Sequence, residues 1–168
     1  RIQDFTFLLH GAKIFSKLDL KKAYYHIPMQ SEDAQKTAIT TPFGLYEFTA
    51  MTFGLRNAAQ TFQRFMHQVL RELTDCTFSY IDDLLIFSLD AQTHERNLTQ
   101  VFERLAEYGL NINLEKCEFG KKELEFLGYR VTSEGIQPLE KKIEAIAAFE
   151  KPKTVEELRR FLGMVNFY

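Results

Sequence analysis

The sequence predicts an α+β fold of βαββαβ order, a ferredoxin-like arrangement in which one antiparallel sheet is covered on one face by two helices. Strand-like apolar segments occur at Ala12–Leu20, Cys76–Ile81, Leu84–Phe87 and Leu110–Leu114, and amphipathic helical stripes lie between them. With an irregular excursion over residues 21–56 set aside, the order is strand, helix, strand, strand, helix, strand. Right-handed crossovers then require the first two strands to run parallel, with the third between them and antiparallel.

Each element has its own signal. Ile2, Phe5, Leu8 and Leu9 recur at helical spacing before Gly11, which suggests a short opening helix. In Ala12–Leu20, Phe15, Lys17 and Asp19 share one face, and Ile14, Ser16, Leu18 and Leu20 share the other. Within the excursion Ser31 is expected to cap a helical turn through Gln35. Thr37–Thr41 and Tyr46–Thr49 read as two strands around a Pro42-Phe43-Gly44 turn. Asn57 with Gln60 resembles a capping box, and the apolar stripe from Phe62 through Phe65, Met66, Val69 and Leu70 to Leu73 gives the clearest helix. A hairpin follows with Asp82-Asp83 as its tight turn, because Asp is depleted from strands and the flanking runs are apolar. The second helix carries Leu98, Val101, Phe102, Leu105 and Tyr108 and stops at Gly109. Leu110–Leu114 alternates as a half-buried strand, and one further hairpin is expected from Cys117 to Val131, closed by Ser133-Glu134-Gly135. Two helices end the chain, marked by Leu139, Ile143, Ile146 and Ala147 and then by Leu158, Phe161, Leu162 and Val165, the latter capped by Thr154 with Glu157.

Composition narrows the function classes. The 168 residues are 45% apolar and 26% charged, as in an ordinary globular domain. No apolar run approaches the roughly 20 residues that cross a bilayer, and no signal peptide precedes the first strand, so we expect a soluble intracellular chain with no membrane partner. Arg1 in place of Met, and an end at Tyr168 inside an apolar helical pattern, suggest an excerpt from a longer protein. Cys76 and Cys117 lie far apart without clustered His, which suggests neither zinc nor a disulfide framework. A net charge of −2 gives no electrostatic support for nucleic-acid binding beyond local pairs such as Lys21-Lys22 and Arg159-Arg160.

The predicted topology puts the C-terminal end of the first strand beside the turn joining the second and third. Asp19, Asp82 and Asp83 would thus meet at one end of one sheet. Three carboxylates without His or Cys make an oxygen-only site suited to Mg²⁺ or Mn²⁺. Two such ions support in-line phosphoryl or nucleotidyl transfer. A glycosidase-type acid/base pair is not specially favoured, a calcium site lacks its spaced-ligand loop, and plain turn chemistry remains open from spacing alone.

The motifs then resemble a known family. Phe15-Ser16-Lys17-Leu18-Asp19-Leu20 with Ala23-Tyr24-Tyr25 is similar to the first catalytic motif of reverse transcriptases from gypsy-class LTR retrotransposons. Phe53-Gly54-Leu55-Arg56-Asn57-Ala58 with Thr61-Phe62-Gln63, Tyr80-Ile81-Asp82-Asp83, Asn113 to Phe119, Phe126-Leu127-Gly128 and Arg160-Phe161-Leu162-Gly163 match the later motifs in order. Thr52 and Ala59 stand where the family usually has Pro.

The resemblance implies a polymerase palm over residues 1–116 with a fingers insertion at about 21–56. Residues 117–168 would form a primer-grip hairpin and the start of a thumb. It implies that Asp19 and Asp82 bridge two Mg²⁺ ions, with Mn²⁺ able to substitute, and that Asp83 completes the cluster. Tyr24 would be the gate against a ribose 2′-hydroxyl, with Phe53 and Gly54 at the nucleotide. Tyr80, Phe126, Leu127 and Gly128 would lie at the primer, and Lys116 is a candidate general acid toward pyrophosphate. Implied partners are an RNA or DNA template, a DNA or RNA primer, dNTPs, and the ribonuclease H, integrase and protease of a Pol polyprotein, in a cytoplasmic virus-like particle. A non-catalytic RNA-binding module on the same sheet order, or an inactive piece of a decayed element, are the alternatives. The isolated segment is expected to be incomplete as a catalyst.

Overall fold

The computed structural model describes residue 6 and residues 8–167. Thr6 and Leu8 are helical and the chain turns through Gly11, while Ile2 and Phe5 of the expected opening helix lie outside the described residues. The strands are β1 (Ile14–Asp19), β2 (Ile39–Thr41), β3 (Gly44–Tyr46), β4 (Thr77–Tyr80), β5 (Asp83–Ser88), β6 (Glu118–Lys121), β7 (Glu123–Phe126), β8 (Tyr129–Thr132) and β9 (Gly135–Pro138). The helices are α1 (Ser31–Ala34), α2 (Ala58–Val69), α3 (Ala91–Glu107), α4 (Glu140–Ala147) and α5 (Val155–Phe167).

The main sheet has the order β4-β5-β1-β6, and β5 pairs antiparallel with both β1 and β4. The first and second strands of the predicted core therefore run parallel with the third between them. Leu18, Leu20, Leu84 and Ile86 pack under α2 and α3, against Phe62, Met66, Val69, Val101 and Leu105. The opposite face is also used. Phe15, Leu85 and Phe87 pack against Leu124, Phe126 and Val131 of a second, three-stranded sheet of order β7-β8-β9. Lys17 and Asp19 follow Phe15 on that face, so the second sheet covers one part of it and the acidic end lies beyond.

Several local expectations are corrected. Leu110–Leu114 forms no strand: a single bridge, Leu20↔Ile112, is made before Leu114–Lys116 winds into a 3₁₀ turn. The place beside β1 belongs to β6. Cys117–Val131 is not one hairpin, because β6 joins the main sheet and two turns, after Phe126 and after Thr132, build the second sheet. The partner of β2 is Gly44–Tyr46 and not Tyr46–Thr49, since the Thr41 hydroxyl donates to the Gly44 carbonyl (2.9 Å) and accepts from the Phe43 N–H (3.2 Å), tightening the turn. Gln30, not Ser31, is the N-cap of α1. Asn57 makes no side-chain cap, because its backbone (φ −102°, ψ 3°) lies outside the extended region that capping uses. The Thr154–Glu157 box does form: Glu157 N–H donates to Thr154 Oγ1 at 3.2 Å and Thr154 N–H to Glu157 Oε2 at 3.3 Å. The excursion is closed at its base by Met29 N–H to Thr49 O (2.9 Å) and Met51 N–H to Ile27 O (2.8 Å).

Candidate active site

Asp19 ends β1, Asp83 begins β5, and the two are direct partners in the antiparallel ladder. Leu20 N–H donates to the Asp82 carbonyl at 2.9 Å, flanking this pair. Asp19 and Asp83 therefore occupy a non-hydrogen-bonded position, where opposed side chains approach most closely. Asn113 N–H donates to the Asp19 carbonyl (2.8 Å) and Lys21 N–H to the Asn111 carbonyl (2.7 Å), fixing the other edge of this strand end. The topology thus gathers residues more than sixty positions apart.

The hairpin turn differs from the expected one. Tyr80 pairs with Asp83, so the two linking residues are Ile81 and Asp82, and Asp83 is a strand residue. Ile81 has φ 54°, whereas Asp82 is not among the positive-φ residues, the pattern of a type II′ turn. A β-branched residue in the left-handed region costs on the order of 1–3 kcal/mol and persists only where its surroundings over-determine it. Ile81 N–H donates to Gln63 Oε1 at 2.8 Å, and the Ile81 side chain packs on the helix-side core.

Like charges directly opposite each other destabilise a sheet. Asp83 records this: burial first, then the neighbouring Asp82 charge, push its pKa up, with Asp19 adding and Lys17 and Lys116 opposing. Lys116, largely exposed, places its ammonium 3.7 Å from Asp19 Oδ2. Lys17, two residues before Asp19, is held by Glu118 at 3.1 Å and by the Glu125 carbonyl at 3.3 Å. Among the described residues no three His, Cys, Asp or Glu side chains are grouped so as to hold a metal ion. The donor chemistry nevertheless fits a hard cation, because Asp19, Asp82 and Asp83 offer oxygen alone and Asp19 and Asp83 face each other across the ladder.

The remaining predicted residues fall into two groups. Tyr24, in a 3₁₀ turn after β1, meets Phe53 edge-on at 5.0 Å and Phe62 at 5.8 Å between ring centroids. Phe53 is 71% exposed, and Gly54 beside it has φ 89°, a conformation that favours glycine. Tyr80 is exposed at the hairpin end. Phe126 is different: only 2% exposed, it packs edge-on against Phe78 at 6.1 Å inside the core between the two sheets. Leu127 and Gly128 form the β7–β8 turn with φ 50° and 81°, so backbone is what this turn offers. Gln63 escaped the sequence reading as a functional residue. No sequence signal pointed to it, because the turn was expected at Asp82-Asp83 and the structure places it at Ile81-Asp82.

Comparison with known proteins agrees with this geometry. The chain matches the family described as reverse transcriptase (RNA-dependent DNA polymerase) over residues 3–131. It is 44% identical over 161 residues to the retrovirus-related Pol polyprotein from transposon opus of Drosophila melanogaster, covering 95% of this chain and 16% of that protein. The Tf2-3 polyprotein of Schizosaccharomyces pombe is 36% identical over 160 residues, covering 95% and 12%. Among solved structures, the foamy viral protease-reverse transcriptase dRH in complex with double-stranded DNA superposes with a TM-score of 0.83 at 26% identity, over 92% of this chain and 27% of that one. The foamy viral protease-reverse transcriptase in complex with an RNA/DNA hybrid gives 0.77 at 26% identity, over 92% and 21%. This chain therefore spans less than a fifth of the length of those two polyproteins. Family match, sheet order and the opposed carboxylates converge on one conclusion: the chain belongs to the reverse transcriptase (RNA-dependent DNA polymerase) family.

Proposed function

We propose that the chain is the palm, with adjoining fingers, of the reverse transcriptase in a gypsy-class LTR retrotransposon Pol polyprotein, and that it carries the site of RNA-directed DNA synthesis. The observation that supports this most directly is the ladder opposing Asp19 to Asp83, with Asp82 in the adjoining turn, on the sheet face away from α2 and α3. With β6 paired to β1, the palm in this reading runs to Lys121, interrupted by the fingers insertion at about 21–56. The second sheet and the two C-terminal helices then lead into the thumb.

Asp19, Asp82 and Asp83 would hold two divalent ions, Mg²⁺ in the first instance. When bound, such ions activate an attacking hydroxyl and stabilise the charge on the leaving oxygen. In this reading the exposed Phe53 ring, against which Tyr24 packs edge-on, meets the incoming nucleotide, and Tyr24 tests for a ribose 2′-hydroxyl. Lys116, whose ammonium lies 3.7 Å from Asp19 Oδ2, would serve as the proton donor to departing pyrophosphate. The primer and template lie along the open face, past Tyr80 and the backbone of the Leu127-Gly128 turn.

The test uses the longer protein that contains this chain, with an RNA template, a DNA primer, dNTPs and Mg²⁺. Extension is expected, and Asp82→Asn or Asp19→Asn is expected to lower it by at least about 10³-fold, the scale on which lost electrostatic stabilisation of a transition state is felt. Undiminished synthesis by either variant would sink the assignment of the site. RNA binding with no synthesis by the unaltered protein would favour a binding module instead.

A further inference from the structure

We infer that Gln63 is a positioning residue for the acidic site, acting as a bridge from helix α2 that holds the Ile81-Asp82 turn in its left-handed conformation. The inference rests on the polymerase reading above for what the site does, but on geometry alone for what Gln63 does.

Both ends of the Gln63 amide are used. Its Oε1 accepts from the Ile81 N–H at 2.8 Å, and its Nε2 donates to the Ser79 carbonyl at 3.0 Å, with the Ser79 hydroxyl at 3.3 Å and His67 Nε2 at 3.0 Å. One side chain thus grips the backbone on both sides of Tyr80. The contact reaches from α2, whose adjacent Phe62 is fully buried in the core, so the bridge has a rigid anchor.

The grip falls where the backbone needs it. Three non-glycine residues among those described have positive φ: Lys22, Ile81 and Leu127. Of these Ile81 alone is β-branched, and it alone immediately precedes a carboxylate of the site. Its peptide plane sets the direction in which Asp82 leaves the turn, and the Asp82 carbonyl in turn receives the Leu20 N–H at 2.9 Å beside Asp19. Releasing the Ile81 N–H lets the turn relax toward negative φ, which moves Asp82 relative to Asp19 and Asp83 without removing any carboxylate.

The test compares the longer protein with its Gln63→Leu and Gln63→Glu variants. Leu matches the size of Gln and removes both hydrogen-bonding ends; Glu keeps the acceptor and loses the donor. Mn²⁺ binding, measured by electron paramagnetic resonance without nucleic acid, is expected to weaken about 10-fold in Gln63→Leu, the usual effect of losing a partner that orients a metal-binding carboxylate. In primer extension kcat is expected to fall about 10- to 100-fold, as for a displacement near 1 Å, with the KM for dNTP within about twofold. Glycine adopts positive φ freely. In an Ile81→Gly background, therefore, Gln63→Leu is expected to change Mn²⁺ binding by less than about twofold, a coupling that a purely structural role would not produce.

Mn²⁺ binding equal to that of the unaltered protein in Gln63→Leu overturns the inference, even if activity falls. If Gln63→Leu does not fold, the same equality in Gln63→Met, which also lacks the acceptor for the Ile81 N–H, overturns it. If the unaltered protein makes no DNA but Gln63→Leu still weakens Mn²⁺ binding, the positioning role stands and the polymerase reading falls.

Discussion

Asp83 stands half-buried in a strand, opposite Asp19 and beside Asp82, and burial and the Asp82 charge together raise its pKa. For an acid whose folded pKa lies above its unfolded one, the folded state is penalised once the group ionises. The penalty grows as pH rises from the ordinary carboxylate value of about 4 through the folded value and is complete above it. Asp83→Asn is therefore expected to raise the Tm of the metal-free protein at pH 7, by about 2–4 °C for each kcal/mol recovered at this chain length, while lowering synthesis. Scanning calorimetry in a chelating buffer checks the first half; a Tm that falls would show that Asp83 is not under strain. At this scale the sequence was informative. Asp19, Asp82, Asp83 and Lys116 were named as residues, and the fold brings Asp19 together with both Asp83 and Lys116. What it concealed was the turn, because Asp82-Asp83 looks like turn chemistry whereas the chain bends at Ile81-Asp82. Propensity for a turn lost to the ladder that binds Asp83 to Asp19 and Tyr80.

Helix α3 shows how an element is fixed to the sheet that carries the site. His94, buried on its inner face, has Nε2 2.7 Å from Ser16 Oγ of β1 and Nδ1 2.9 Å from Ser88 Oγ of β5, while Asn97 donates to Ser88 Oγ at 2.9 Å. Gly120 N–H of β6 donates to Ser16 Oγ at 2.9 Å, so one polar cluster ties three strands to the helix. Burial lowers the His94 pKa. A histidine with a depressed folded pKa contributes stability that is present above its unfolded value of about 6.5 and is lost as pH falls from there through the folded value. Urea midpoints measured from pH 8 to pH 5 are expected to fall, and His94→Gln is expected to start lower at pH 8 but to vary less across that window. An unchanged slope in His94→Gln would assign the pH dependence to other groups. Helices α2 and α3 were legible because their apolar stripes repeat over three or more turns. The fourth strand was not, since Leu110–Leu114 and Glu118–Lys121 both look like short strands, and only the structure shows that β6 pairs along β1 while residues 111 and 113 bond to Lys21 and Asp19 around a single bridge at its end.

At the scale of the whole molecule, the second sheet makes the site one-sided. Packed on Phe15, Leu85 and Phe87, it fills part of the face opposite the helices. Its central ring is Phe126, which motif order had assigned to the primer. Phe126→Ala is expected to lower unfolding free energy by about 3–5 kcal/mol, the usual result of emptying a buried aromatic site, and so to shift the denaturant midpoint. A ring that served only the primer would leave the midpoint in place and raise the primer KM. The strand–helix order, the parallel relation of β1 and β4 across β5, and therefore the end of the sheet that collects Asp19, Asp82 and Asp83 could all be read from the residues in order. These follow from apolar periodicity and crossover handedness, both local properties of a chain. Which segment lies beside β1, that Phe126 is core, and that Gln63 reaches the Ile81 turn emerge from the folded chain alone. Each of those depends on which surfaces remain free once the main sheet has formed, and on hydrogen bonds between residues that no spacing in the sequence connects.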